Sequence, residues 1–308
     1  MKLVAGIDIG GTNSRFGIVD MQGNILAHDS IITTDFPDAK EFAENVAQKI
    51  SLLLPNDSEF LGVGMGAPNG NFFKGTIEFA PNLQWKGVVP LAKYFADALN
   101  CKAVLTNDAK AAALGEMLFG GAKGMKDFIF ITLGTGLGSG IVVNGELVYG
   151  HDGFAGEVGH VIIAPDGRLC GCGRKGCLER YCSATGIVIT YLEKLPGIEE
   201  KIKDEIDSKY IFERAQQGEQ AAIDSFNQTG EMLGLALANS VTYTRPEAIF
   251  LFGGLAQAGN FIFNPVKESF EKNLLPIYKG KVKILPSKLK EDDAAILGAA
   301  SLIWKEKK

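Results

Sequence analysis

FIFITLGTGLGSGIVVNGELV, residues 128–148, runs strand, Gly-Thr turn, strand, Asn-Gly turn, strand. The chain opens in the same order. LVAGIDIG, SRFGIVD and NILAHDS read as short strands separated by Gly-Gly-Thr-Asn and Met-Gln-Gly-Asn turns, which predicts an antiparallel meander, and IVVNGEL echoes IVDMQGNIL. After the first meander, DAKEFAENVAQKISLLL sets Phe42, Val46, Ile50 and Leu53 at helical spacing. FLGVGMGAP then returns as a strand, VPLAKYFADAL as a helix, AVLTND as a strand and AKAAALGEMLF as a helix. After the second come helical patterns near 183–194 and 219–243, the strand AIFLFGG, a helix near 262–274, the strand KVKILPS and a closing helix DDAAILGAASLIW. Strand and helix alternation predicts an α/β layered fold. Its repetition suggests a duplicated domain with a ligand in the cleft between the halves, the other reading being that hairpins resemble one another.

At 308 residues the chain is long enough for two domains, and 46% hydrophobic with 22% charged residues is ordinary for a globular protein. No apolar run reaches the roughly 18 residues of a membrane span. The formal charge of −5 argues against general attraction to nucleic acid and favours small substrates. MKLVAGIDIGG passes directly into a strand without the apolar stretch of a signal peptide, so a cytoplasmic protein is expected. The charged EEKIKDEIDSK, 199–209, reads as a solvated loop or helix face.

Several motifs carry chemistry. In IDIGGTNSR, Gly10, Gly11 and Thr12 would let backbone N–H groups and a hydroxyl approach a phosphate, with Asp8 placed to hold magnesium through water; a plain hairpin turn is the alternative. LGTGLGSG, 133–140, lacks the third glycine of GxGxxG counted from Gly136, and a strand rather than a helix follows. This removes the dinucleotide reading and leaves a second phosphate-binding hairpin. FGGLA, 252–256, ends a strand in glycines that would admit a flat ligand such as adenine, or is a simple strand-to-helix turn. Asp108 stands between a strand and an alanine-rich helix, where it is either an N-cap or a carboxylate that accepts a hydroxyl proton. Glu157 and His160 are close enough in AGEVGH to converge on one ligand.

Five cysteines, Cys101, Cys170, Cys172, Cys177 and Cys182, point to metal or catalysis more than to disulfides in a reducing compartment. His160, Cys170, Cys172 and Cys177 make the Cys₃His set of a closed structural zinc site; inert thiols or a disulfide are the other readings. Cys182 lies outside the spacing as a free thiol, and Cys101 reads as a buried apolar residue.

Taken in order, these motifs resemble the ROK family (repressors, open reading frames and sugar kinases) of the actin-like ATPase superfamily. The resemblance runs over nearly the whole chain and is most specific where Gly136, Gly138, Gly140, Gly150, Gly156 and Gly159 fall at the signature spacing, followed by CGCGRKGCLE. It implies a duplicated actin-like (ribonuclease H-like) two-domain fold with its active site in the interdomain cleft. The lobes would be 1–117 with 292–308, and 118–291 with the zinc-binding insertion. It further implies an ATP-dependent sugar kinase, most like the bacterial glucokinases, with kinases for other hexoses or N-acetylhexosamines and a sugar-responsive regulator as alternatives. Asp108 would be the general base. Asn82, Asn107, Glu157, His160 and Glu179 would bind sugar beside it. Gly10, Gly11, Thr12, Asn13, Gly134, Thr135 and Gly136 resemble the phosphate loops, with Gly253 and Gly254 near adenosine and Asp8 positioning Mg2+. Arg15 is a phosphate-side, surface or interface residue. A homodimer is expected, and EMLGLALANSV either contributes to it or belongs to the core.

Overall fold

A strand buried on both faces reads as an unbroken apolar run, and a half-wet strand alternates. LVAGI, residues 3–7 of the first strand, is wholly buried, whereas the third strand alternates between exposed and half-buried positions along its length. A computed structural model, describing residues 1–195, 197 and 205–305, arranges them accordingly. The first half comprises β1 (Lys2–Ile9), β2 (Asn13–Asp20), β3 (Ile25–Ile32), α1 (Ala39–Leu53), β4 (Glu59–Ala67), a small sheet of β5 (Gly70–Asn71), β6 (Thr76–Glu78) and β7 (Val88–Val89), then α2 (Leu91–Leu99), β8 (Ala103–Asn107) and α3 (Asp108–Leu118). The second half comprises β9 (Phe128–Leu133), β10 (Leu137–Val143), β11 (Glu146–Leu147), α4 (Glu179–Cys182), α5 (Ala184–Lys194), α6 (Ser208–Gln216), α7 (Gln220–Thr244), β12 (Ala248–Phe252), α8 (Asn260–Asn273), β13 (Lys283–Pro286) and α9 (Glu291–Trp304).

The two large sheets have orders β3-β2-β1-β4-β8 and β11-β10-β9-β12-β13. Each is an antiparallel meander continued by two parallel strands, so the duplication read from the hairpins is present in the topology. Helix α9 returns to lie on the first sheet. Glycines make this approach possible: a β-carbon on Gly64 would stand 1.9 Å from the Ala299 carbonyl oxygen, and one on Gly6 would stand 2.1 Å from that of Ile296. Gly64→Ala is therefore expected to lower stability by about 2–3 kcal/mol, read as an earlier midpoint in urea unfolding.

Helix α3 lies between the sheets. Asn107 caps it, its Oδ1 accepting from the backbone N–H of Ala109 (3.0 Å) and Lys110 (3.3 Å). The cap is thus one residue before Asp108, whose own carboxylate accepts from the neighbouring Ala109 N–H (2.8 Å). Gly138 and Gly140 let the helix sit directly on β10, since β-carbons there would meet Cβ of Ala109 at 2.7 Å and of Ala113 at 2.4 Å. At the other end, Glu116 is fully buried. Its carboxylate accepts from Gly121 N (2.6 Å), Ser287 Oγ (2.6 Å) and Lys288 N (3.1 Å), so it ties the chain leaving α3 to the chain entering α9.

EMLGLALANSV lies in α7 and is core. Leu233, Leu237 and Val241 are buried, and Gly234 fits against the Val266 carbonyl of α8. Cys101 is half-buried rather than buried, because it lies in the turn after α2 with its thiol directed at the Lys102 carbonyl. Of the charged stretch 199–209, residues 199–204 lie outside the described residues, and Ser208 begins α6. Among the described residues no helix is long and apolar enough to cross a membrane.

Candidate active site

The two meander turns carry little side-chain cover. In the first, Gly10 N donates to Asn13 O (3.1 Å), Thr12 and Asn13 are exposed, and a β-carbon on Gly11 would lie 2.3 Å from the carbonyl oxygen of Asn82. The turn therefore rests against the loop carrying the exposed Asn82. That loop is held in turn by the Trp85 indole, which donates to Phe36 O at 2.9 Å. In the second, Gly134 N donates to Gly136 O (3.1 Å), Thr135 is exposed, and no atom stands within 4 Å of a β-carbon position on Gly134. Backbone N–H groups in such turns suit an anion.

Glu179, at the start of α4, joins this second turn to the cysteine loop. Its Oε2 accepts from Leu137 N at 3.0 Å and lies 2.5 Å from where a β-carbon on Gly136 would stand. Its Oε1 faces the Cys170 thiol at 3.9 Å. The loop itself brings the ligand atoms of His160, Cys170, Cys172 and Cys177 within 4.8 Å of one another. Cys172 and Cys177 Sγ are 3.6 Å apart, and Cys170 Sγ is 3.8 Å from His160 Nδ1. A tetrahedron with bonds of about 2.3 Å has edges of about 3.8 Å, so three sulfurs and one imidazole at these separations fit zinc. A hydrogen bond from the Arg174 backbone N–H lowers the exposed Cys172 thiol to about 6, whereas burial lifts Cys177 to about 12.

Carboxylates crowd the centre. Asp108 is solvent-exposed, yet the surrounding protein raises its carboxyl by desolvation, opposed by the backbone N–H of Ala109 at 2.8 Å. Burial first, and then repulsion from Asp108, raise Asp8 to about 6, with Arg15 acting the other way. Arg15 pairs across the strands with Asp8 and lies 4.0 Å from Asp292, with both of those charged ends exposed. Burial also raises Glu157, with Lys110 and His160 lowering it and Asp108 and Glu179 raising it further. Asp8, Asp108, Glu157, His160 and Glu179 therefore share one electrostatic neighbourhood. Asn107 contributes less freely than expected, because its oxygen is committed to the cap and only its amide NH₂ remains.

Beyond β12, Gly253 has φ +99, and a β-carbon there would stand 2.8 Å from Leu133 O. Gly254 is exposed and borders a cavity of about 300 Å³ whose lining includes Phe212, Leu255 and Ala258. Its walls are largely apolar, as a flat heterocycle requires.

Three residues here went unread in the sequence. Lys110 is a buried charge in the alanine-rich helix, and its isolation in that run was the available signal. Ser139 accepts from Val158 N (3.2 Å) and donates to Gly156 O, fixing the chain on both sides of Glu157. Arg168 anchors the cysteine loop through Arg180 O (2.7 Å), Thr190 Oγ1 (2.9 Å) and Glu193, and stacks on Tyr181 at 4.4 Å. Neither serine nor arginine carries a local signal for contacts so distant in sequence.

Residues 4–306 match the ROK family model. The chain belongs to the ROK family. This ROK chain is 35% identical to the glucokinase of Streptomyces coelicolor, over 98% of each protein. It is similar to the crystal structure of a ROK family glucokinase from Streptomyces griseus in complex with glucose and AMPPNP, with a TM-score of 0.81 and 34% identity over 97% of this chain and 98% of that one. It is also similar to a ROK family transcriptional regulator, homolog of the E. coli MLC protein, with a TM-score of 0.86 and 25% identity over 99% of this chain and 78% of that one. The fold is accordingly the duplicated actin-like, two-domain fold of the ROK sugar kinases.

Proposed function

We propose that this protein is an ATP-dependent glucokinase that forms glucose 6-phosphate. The observation that carries this reading is Asp108: an exposed carboxylate at the start of α3, where Asn107 rather than Asp108 is the cap, in the same electrostatic neighbourhood as Asp8 and Glu157. Phosphoryl transfer needs positioning and charge neutralisation more than covalent chemistry. The turns at Gly10–Asn13 and Gly134–Gly136 would offer N–H groups to the ATP phosphates, with the base of ATP in the cavity beside Gly253 and Gly254. Asn82, the amide NH₂ of Asn107, Glu157, His160 and Glu179 would orient the sugar. Asp108 would accept the proton of the 6-hydroxyl as its oxygen attacks the γ-phosphorus.

Asp8, raised by burial and then by repulsion from Asp108, suits a cation that relieves this repulsion, and Mg2+ bound there would neutralise phosphate charge. Zn2+ held by His160, Cys170, Cys172 and Cys177 would be structural, since four protein ligands leave no open position. With Nδ1 turned to the sulfurs, His160 keeps Nε2 for a sugar hydroxyl. The proposed lobes remain 1–117 with 292–308 and 118–291, and the proposed assembly is a homodimer.

A coupled assay over glucose, mannose, fructose, N-acetylglucosamine and N-acetylmannosamine tests the reading. Glucose is expected to give the highest kcat/KM; a much higher value for an amino sugar would replace glucose as substrate. The likeness to a regulator supports a second reading, a sugar-responsive protein without turnover. Sugar binding with no ATP consumption on any hexose would establish it in place of the first.

A further inference from the structure

Lys110 is only 1% exposed although it stands beside the catalytic end of α3. Its ammonium donates to Gly153 O at 2.9 Å and lies 5.9 Å from the centre of the Tyr149 ring. Its Cε is 4.0 Å from the position a β-carbon on Gly156 would take, and Glu157 and Asp152 are its charge neighbours. The same segment is gripped from the first half of the chain. Asn71 Nδ2 donates to Asp152 O at 2.9 Å, and Phe72 stacks on Tyr149 with ring centres 4.2 Å apart. Ser139 fixes the residues flanking Glu157 from the other side.

Burying an ammonium costs several kcal/mol, offset here by its bond to Gly153 O and by the Glu157 and Asp152 carboxylates. It supplies a fixed reference between α3, which begins at Asp108, and the segment that ends at Glu157. We infer that Lys110 is a positioning residue for sugar binding: it holds residues 149–157 against α3 and sets the place of the Glu157 carboxylate relative to Asp108. This inference rests on the reading of Glu157 as a sugar ligand.

The test compares wild type, Lys110→Met, Lys110→Gln, Glu157→Gln and the Lys110→Met/Glu157→Gln double variant, with KM for glucose and for ATP, kcat and thermal midpoint for each. Lys110→Met is expected to raise the glucose KM about tenfold, with the ATP KM within about twofold and the thermal midpoint lowered by the stranded Gly153 carbonyl. Lys110→Gln, which keeps a donor for Gly153 O, should fall between it and wild type. If Lys110 acts through Glu157, its penalty shrinks to within about threefold in the Glu157→Gln background. A folded Lys110→Met protein with unchanged glucose KM, an equal loss for ATP, or fully additive penalties would overturn the inference while leaving Glu157 in place. An unchanged glucose KM in Glu157→Gln would overturn the ligand role itself, and the inference with it.

Discussion

Asp108→Asn should lower kcat for sugar phosphorylation by about 10³-fold while glucose still binds with nearly its wild-type affinity. A positioned general base contributes typically 10²–10⁴-fold, and the amide keeps the shape and the oxygen that accepts from Ala109 N but has no basicity. Stability should move the other way. The folded protein raises the Asp108 carboxyl, so ionising it costs more in the fold than in the unfolded chain. That cost is fully present above the raised folded pKa and is relieved as the pH falls through it. The Asn variant lacks the cost, so at neutral pH its thermal midpoint should equal or exceed that of wild type. In the wild type, kcat/KM should decline with falling pH as the base takes up a proton, beginning above the ordinary carboxylate range. Stopped-time product assays, calorimetry of glucose binding and thermal melts together check this. Full turnover in Asp108→Asn would reject the base.

Cys172→Ala has the second largest expected effect, and it lies in a loop with no proposed contact to ATP. Cys172 is the exposed member of the four-ligand set, so its removal opens the site without creating a large cavity. His160 and Glu179, which meet Cys170 at 3.8 and 3.9 Å, would lose the clamp that directs them. Outer-shell supports of this kind are typically worth 10–100-fold in affinity or activity. The glucose KM should rise by at least about tenfold and the melting point fall, with a smaller change in the ATP KM. Zinc by mass spectrometry should be stoichiometric in wild type and depleted in the variant. A metal-free preparation with unchanged sugar affinity would show that the loop does not depend on the metal.

The duplicated topology was legible because both hairpins carry their turn chemistry locally, in Gly-Gly-Thr-Asn and Asn-Gly, and strand burial follows from apolar runs. The cysteine set was legible through its spacing, and the four side chains do converge. Asp108 was ambiguous for a physical reason: Asn and Asp cap helices equally well, and only the backbone shows that Asn107 takes the task. The signature glycines also serve a purpose that spacing does not reveal. Gly138 and Gly140 are thin so that α3 can lie on β10 with Ala109 and Ala113 against the strand. Lys110, Ser139 and Arg168 depend on partners many residues away, and nothing in their immediate neighbours encodes those partners.

Glu116 gives the molecule the mechanics of a lever. One carboxylate joins the two strands of chain that cross between the halves, at the end of α3 opposite Asp108. Eight residues of helix α3, or about 12 Å at 1.5 Å per residue, separate this fulcrum from Asp108. Any rotation of one sheet against the other about the fulcrum would be multiplied along that arm: about 10° there becomes about 2 Å at Asp108, enough to break a hydrogen bond. The crossing points would hardly stir, while groups across the cleft pass from contact to separation.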